Sequence, residues 1–369
     1  MARVLVTGGA GFIGSHVAEY YARQKWQVRV VDNLSRPRIF AGKLRPDLSN
    51  WTYLEQFDTV ELIRGDVRNA ELVESAAADV DLIVHCAAQT AVTTSLVDPR
   101  MDFENNVVGT FNVLEAARKS RHRPTVVFCS TNKVYGENVN LIPVREKETR
   151  YEFDGLYRRG ISETFGVDNC EHTPYGASKL TADIYAQEYA NQYGLRVGVF
   201  RMSCIYGTRQ FGVEDQGWVA WFAIAALTGQ PITIYGDGKQ VRDVLFVSDL
   251  VRAFDAFVQS DWQHLVVNMG GGPDNTLSLL ELVRMLEDLT GRSLSLRFDE
   301  WRPSDQKVYI SDISQARLAL RWEPKIAPEE GVKRLVSWVA ENRHLFEETP
   351  QVREVPAAAE AQPADVVQA

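Results

Sequence analysis

An α/β fold is predicted, built on a doubly wound parallel sheet with a smaller mixed α/β lobe at the C-terminal end. Three observations predict it. Short apolar runs alternate with helical patterns from residue 3 to residue 200. The first run ends in a glycine-rich turn that opens a helix. The second run ends in an acid. Such alternation argues for βαβ units and a sheet covered on both faces. Right-handed crossovers then favour the doubly wound order.

The runs are residues 3–7 (RVLVT), 28–32 (VRVVD), 61–64 (ELIR), 81–85 (DLIVH), 125–128 (TVVF) and 196–200 (RVGVF). Helical patterns occupy 12–24, 69–77, 103–119 and 175–193. From residue 205 the regularity loosens: 231–239 is turn-rich and Gly270-Gly271-Gly272-Pro273 is a break. Ser278 and Glu281 form a capping-box pattern for a helix reaching residue 289. The expected organisation is a cofactor domain at 1–204, to which the chain returns around 241–262, and a lobe for substrate at 205–345. Residues 348–369 are rich in Ala, Pro and Glu without apolar period and are expected to be a disordered tail.

The bulk properties set bounds. At 369 residues with 45% hydrophobic content, the chain can bury a large core. A net charge of −9 argues against a nucleic-acid partner, which needs a basic face. The longest apolar run, 218–227, is half of what a membrane span requires and reads as a buried helix. The four cysteines, Cys86, Cys129, Cys170 and Cys204, have no C-x-x-C spacing, so neither a metal site nor a redox pair is expected. With no signal peptide in view, the expectation is a cytoplasmic protein.

Residues 7–14 (TGGAGFIG) place Gly8, Gly11 and Gly14 between a strand and a helix, with Phe12 and Ile13 inside the turn. Missing side chains let the backbone approach a pyrophosphate, and the helix N-terminus offers free N–H groups. Asp32 ends the second strand, where a carboxylate accepts the adenosine ribose hydroxyls and repels a 2′-phosphate. NAD is therefore the expected cofactor, in a Rossmann arrangement, although Arg36 and Arg38 lie close by. Asn33 and Ser35 follow the acid; Asp66 and Val67 follow the third strand and face the adenine; Ala87, Ala88 and Gln89 follow the fourth and let the cofactor pass.

The fifth run leads directly into Thr131-Asn132-Lys133, a hydroxyl, an amide and an amine where a buried strand ends. Polar groups there are costly unless they meet a ligand or each other. Tyr175 and Lys179 are four apart, hence on one helix face. A neighbouring ammonium and a positive nicotinamide ring favour phenolate, so the phenol is expected to drop toward neutrality. Such a tyrosine takes a proton from an alcohol as hydride leaves, with Thr131 fixing the same oxygen.

Together the TGGAGFIG, VVDNLS, HCAAQ, STNKVYG and YGASK segments resemble the extended short-chain dehydrogenase/reductase family, over roughly residues 1–345. The resemblance implies bound NAD recycled within a cycle, with Thr131, Tyr175 and Lys179 as catalytic set. It also makes Asn106 either a helix asparagine shaping the site or a packing amide. Family dehydratases carry an Asp-Glu pair where this chain has Asn132 and Lys133, so water elimination is disfavoured. The stretches 158–163, 209–222, 238–244 and 302–306 resemble the CDP-sugar 2-epimerase group of the family. That resemblance implies a CDP-linked paratose, tyvelose or glucose as substrate, with C2 oxidised and re-reduced on the other face. Asn132 and Lys133 would steady the keto sugar. Arg242 and Arg302 occupy the family's diphosphate positions, where guanidinium forks suit phosphate oxygens. Arg209, Gln216 and Trp218 are further substrate candidates. A homo-oligomer, dimer or tetramer, is implied too. The alternatives are a UDP-sugar 4-epimerase, a dehydrogenase releasing NADH, and a non-catalytic NAD-binding protein.

Overall fold

A computed structural model of the chain describes residues 1–36, 48–302 and 305–346. Arg38, Pro303, Ser304 and the expected tail at 348–369 lie outside the described residues.

The strands are β1 Arg3–Thr7, β2 Gln27–Asp32, β3 Val60–Arg64, β4 Leu82–His85, β5 Thr125–Thr131, β6 Val144–Glu146, β7 Tyr151–Phe153, β8 Val197–Met202, β9 Cys204–Tyr206, β10 Ile232–Tyr235, β11 Val241–Phe246, β12 His264–Met269, β13 Thr276–Ser278, β14 Leu296–Asp299 and β15 Val308–Tyr309. Seven of them form one sheet in the order β12-β8-β5-β4-β1-β2-β3. Every pairing in it is parallel. The order reverses between β1 and β4, which opens a crevice at the carboxyl ends of those strands.

Side-chain alternation explains why the strands are apolar throughout. Val4 and Val6 of β1 enter one core cluster and Leu5 the other; Leu82 and Val84 of β4 part from Ile83 in the same way. Helices Phe12–Arg23 and Val247–Val258 cover the first face, through Val17, Tyr21, Phe254 and Phe257. Helices Ala70–Ala77, Gly109–Lys119 and Pro174–Tyr193 cover the second, through Val73, Val113 and Ala186.

Two elements refine the sequence reading. The helix expected at 103–119 is one helical run that starts at Pro99 and carries a π-helical turn, Glu104–Val108, between Pro99–Phe103 and Gly109–Lys119. Its cause lies in the site below. Within 241–262 the chain meets the main sheet through helix Val247–Val258, while β11 pairs with β9, β13 and β15 in a second sheet and β12 joins the main sheet beside β8.

The second lobe comprises β9, β11, β13 and β15, the parallel pair β10–β14, and helices that include Trp218–Thr228. That helix is buried through Val219, Phe222, Ala223 and Ile224, as its apolar run requires. Ser278 and Glu281 make the reciprocal capping box of helix Leu279–Thr290, at 3.1 and 2.9 Å. A third cluster, with Val134, Tyr135, Val241, Val308 and Tyr309, ties the end of β5 to this lobe.

Candidate active site

The glycine turn is dictated by contact. Gly8 has φ +70°, and a Cβ on it would lie 2.6 Å from the Ala87 backbone nitrogen. A Cβ on Gly14 would lie 2.2 Å from the Gly8 carbonyl oxygen. Backbone cannot yield as a flexible side chain does, so both positions exclude any larger residue. The following helix has Gly11 at its N-cap, no side-chain cap and no acid in its first turn, which leaves its N–H groups turned to an anion.

An elongated pocket runs from this turn along Val31, Asp32, Asn33, Ser35, Gly65 and Val67 to Cys86, Ala87 and Ala88. Asp32 accepts hydrogen bonds from Ala10 N (3.0 Å) and Leu34 N (2.8 Å). Burial raises its pKa above the usual carboxylate range, and those two bonds pull the other way. Asp66 is held by Arg68 and by Asn33 (2.9 Å); the Arg68 bond is the main reason that its pKa falls to about 2. The cradle, the acid and the residues that line the pocket fit NAD.

Several residues of this pocket were not anticipated from the sequence. Gln216, expected at the substrate, lines this cofactor pocket, where its Oε1 accepts from Arg36 (2.9 Å). Arg36 also donates to Phe211 O at 2.8 Å. Ala10, Cys86, Thr90 and Asn105 line the pocket and were not anticipated. Gln89 is not a lining residue. It is buried, and its amide donates to Ala91 O (2.7 Å) and Asp102 (3.1 Å).

At the end of β5, Thr131 and Asn132 are buried, and the Thr131 hydroxyl donates to Asn132 Oδ1 at 3.3 Å. Thr173 caps helix Pro174–Tyr193 by accepting from Gly176 N, and Pro174 takes the first helical position. The next residue, Tyr175, is thereby aimed at the strand end, with its phenol close enough to the Thr131 hydroxyl for that group to favour the phenolate. One turn on, Lys179 donates to Cys129 O (2.7 Å) and lies 4.5 Å from the Phe128 ring centroid. The geometry thus brings Thr131, Tyr175 and Lys179 to one place.

Without the nicotinamide ring, burial pushes Tyr175 up to about 12, and the Thr131 hydroxyl opposes it. Desolvation also pushes Lys179 down to about 8. Sequence spacing shows that two groups are near each other; it does not show how dry the site is.

A buried polar network lies beneath. Asn106 accepts from Gln89 N (2.8 Å) and donates to Gln89 O (3.1 Å), clasping the loop after β4 as a sheet partner would. It also donates to Asp102 (3.1 Å) and Ser178 Oγ (3.0 Å). Of the two roles left open for Asn106, its contacts are those of a loop clasp. The π-helical turn carries this asparagine inward, a common use of such turns. Asp102, unforeseen, sits four residues earlier and accepts from Ser178.

His85 extends the network, with Nδ1 2.6 Å from Thr7 Oγ1 and Nε2 3.0 Å from Thr110 Oγ1. Burial, helped by Lys179, lowers its pKa to about 3. An unfolded histidine titrates near 6.5, so between pH 6.5 and 3 the unfolded chain binds a proton that the native chain refuses. Stability therefore falls as pH drops through that window. His85→Gln should lose less stability between pH 7 and 5 than the parent, by about 2 kcal/mol. Urea midpoints at the two pH values measure this; equal losses reject it.

The substrate-side candidates divide. Arg242 donates to Asp305 (2.5 Å) and Gln306 O (2.6 Å). Lys133 belongs to the same group: burial first, then Arg242, lowers its pKa to about 8, while Asp305 and Glu137 act the other way. Arg302 donates to Glu214 O (3.0 Å) and lies 4.0 Å from the Tyr235 ring centroid. Arg209 is elsewhere: it pairs with Glu19 (2.7 Å) and covers Tyr53 at 4.1 Å, beside the first helix. That ion pair uses the guanidinium that the sequence reading assigned to substrate. Trp218 packs edge-on against Phe222 at 5.8 Å, partly buried against the core, and hydrogen-bonds Cys204.

Comparison with known proteins places this geometry. Residues 4–270 match the model of the NAD dependent epimerase/dehydratase family. The chain is 40% identical to the CDP-paratose 2-epimerase of Salmonella typhi over 349 residues, 92% of this chain and 99% of that one. It is 29% identical to the UDP-glucuronate 4-epimerase of Thermodesulfobacterium geofontis, over 94% and 98% of the two chains. The Thermotoga maritima UDP-glucose 4-epimerase, solved with UDP-glucose, superposes with a TM-score of 0.75 at 30% identity, covering 92% of this chain and 99% of that one. The Bacillus cereus UDP-glucuronic acid 4-epimerase, solved with UDP-glucuronic acid and NAD, gives a TM-score of 0.75 at 26% identity, over 92% and 99%.

Proposed function

The chain belongs to the NAD dependent epimerase/dehydratase family, and on that premise we propose that this NAD-dependent nucleotide-sugar epimerase inverts C2 of a CDP-linked sugar. One observation carries the choice of C2 and CDP. Identity to a CDP-paratose 2-epimerase is 40% across nearly the whole chain, against 29% to a UDP-sugar 4-epimerase.

In a 3-deoxy sugar no neighbouring ketone acidifies the C2 hydrogen, so direct deprotonation is unfavourable. Oxidation to a ketone, rotation of the sugar and re-reduction on the other face avoid it. NAD, when bound, supplies the hydride acceptor and donor and a positive ring beside the phenol. Tyr175 takes the hydroxyl proton and later returns it. Thr131, beside that phenol, fixes the substrate oxygen. Lys179, anchored on Cys129 O, keeps a positive charge in the same dry space. Asn132 and Lys133 steady the keto sugar, and as amide and ammonium they lack the carboxyl pair that elimination needs. Arg242 and Arg302 serve the diphosphate, reached by exchanging their present carboxylate and carbonyl partners for phosphate oxygens. Asp32, Asn33, Ser35, Val67, Ala87 and Ala88 hold the cofactor.

Exposed Phe111, Ile184 and Tyr185, on the adjoining helices Gly109–Lys119 and Pro174–Tyr193, support a surface that pairs subunits. Four free thiols support a reducing, cytoplasmic setting. No helix of the described residues is long and apolar enough to cross a membrane.

The test is proton NMR in deuterated water with no cofactor added, on CDP-paratose, CDP-tyvelose, CDP-glucose and UDP-glucose separately. Inversion at C2 of a CDP-sugar without deuterium entering C2 is expected. Inversion only at C4 of UDP-glucose rejects the C2 assignment and moves the chain to the UDP-sugar 4-epimerases. Deuterium at C2 rejects the hydride route.

A further inference from the structure

Cys86 follows β4 and Cys129 lies in β5, and the sequence places them 43 residues apart. The fold sets them side by side. The register of the two strands runs Leu82↔Thr125 to His85↔Phe128, and the cysteines are the next pair. Their sulfurs are 3.6 Å apart and share a hydrogen bond. Adjacent strands stand roughly 4.8 Å apart, which falls inside the ~4.4–6.8 Å that a disulfide allows between Cα atoms. Cys86 also lines the cofactor pocket, so a small solute reaches the pair through that pocket.

From this juxtaposition we infer that Cys86 and Cys129 are a disulfide-forming site that disables the cofactor pocket when a peroxide oxidises it. The sulfur of Cys86 attacks a peroxide oxygen, which releases water and leaves a sulfenic acid. The sulfur of Cys129 then attacks the Cys86 sulfur and expels hydroxide, which leaves as water with the thiol proton. Two thiols are oxidised and one hydrogen peroxide is reduced to two waters. The mutual hydrogen bond, and burial after it, hold the Cys86 thiol well above its ordinary pKa. The reaction is therefore slow and calls for excess peroxide.

Closing the bond draws the sulfurs from 3.6 Å to about 2.05 Å. Both backbones adjoin parts with no slack. Cys129 O accepts the Lys179 ammonium at 2.7 Å. Ala87, next to Cys86, is so close to Gly8 that a single added Cβ would clash at 2.6 Å. The segment after β4 that shifts, Cys86 to Ala88, lines the pocket.

The experiment exposes the purified full chain to hydrogen peroxide, alkylates remaining thiols, digests without reductant and maps the peptides by mass. A Cys86–Cys129 linked peptide is expected, with Cys170 and Cys204 alkylated. In the linked protein, NAD retained per chain after desalting should fall at least tenfold and return after dithiothreitol. Peptides in which Cys86 and Cys129 are only alkylated or singly oxidised overturn the inference. So does a linked protein that retains NAD as before. Cys86→Ser and Cys129→Ser, each compared with its own untreated sample, should keep their NAD through the same exposure; loss equal to that of the parent places the damage elsewhere and rejects the pair.

Discussion

Tyr175→Phe is expected to lower kcat by about 10²–10⁴-fold, the range for losing a positioned proton-transfer group. The change deletes one oxygen and keeps the ring, which is buried at the start of helix Pro174–Tyr193. The helix start itself is held by backbone and cap: Thr173 accepts from Gly176 N, and Tyr175 N donates to Ser95 Oγ at 3.1 Å. Folding and NAD binding should thus survive, and the loss should fall on turnover. The variant should also show no reduced nicotinamide on addition of substrate, whereas the parent should show a trace. A kcat within tenfold of the parent, or a matching loss of folded protein, removes Tyr175 from the proton path. A dehydrogenase in place of an epimerase would declare itself in the parent, by accumulating reduced cofactor in step with substrate.

Arg201→Met is expected to cost about 3–5 kcal/mol of stability, the range for breaking a buried ion pair from one side. Arg201 meets Asp183 through two bonds of 3.0 Å, and the Asp183 side chain has no exposed surface. With the guanidinium gone, the carboxylate keeps only Ser130 Oγ (2.6 Å) and Gln187 (2.7 Å). Two neutral donors do not offset a buried charge. The damage should spread, because Arg201 also donates to Tyr135 OH and Glu163 O, and Ser130 precedes Thr131 on β5. Adding Asp183→Leu should recover much of the loss, since an apolar pair of similar volume removes the stranded charge. Urea denaturation of the two variants measures both effects. A single-variant loss under about 1 kcal/mol would mean that solvent reaches Asp183.

What was legible in the sequence is what short stretches determine by themselves. The glycine turn reads directly because its constraint is steric: Gly8 and Gly14 meet backbone within 3 Å of where a side chain would begin. Asp32 reads because it ends a strand beside that turn. Tyr175 and Lys179 read because four residues make one helical turn. The partners of Gln216 and Arg209, which are Arg36 and Glu19, did not read, because they come from far along the chain. The resemblance placed both residues in a substrate stretch, but only tertiary packing decides which wall each one faces. Asp102 gave a signal that passed unnoticed: an acid four residues before Asn106, on the same side of a helical pattern. The dryness around the Tyr175 phenol did not read for a similar reason, since it is made by residues from several elements.

The position of β12 has a consequence for how such a chain can change. The edge of the main sheet is closed by β12, which comes after β9, β10 and β11 of the second lobe and before its β13, β14 and β15, so the chain enters that lobe twice. A gene split or protease cut near residue 204 leaves β8, buried along nearly all of its length, as a bare edge open to pairing with another chain. The two lobes cannot be traded as cassettes. Under the proposed function, a new sugar is expected to be accommodated by substitutions at positions such as Asn132, Lys133, Arg242 and Arg302, while the sheet stays whole.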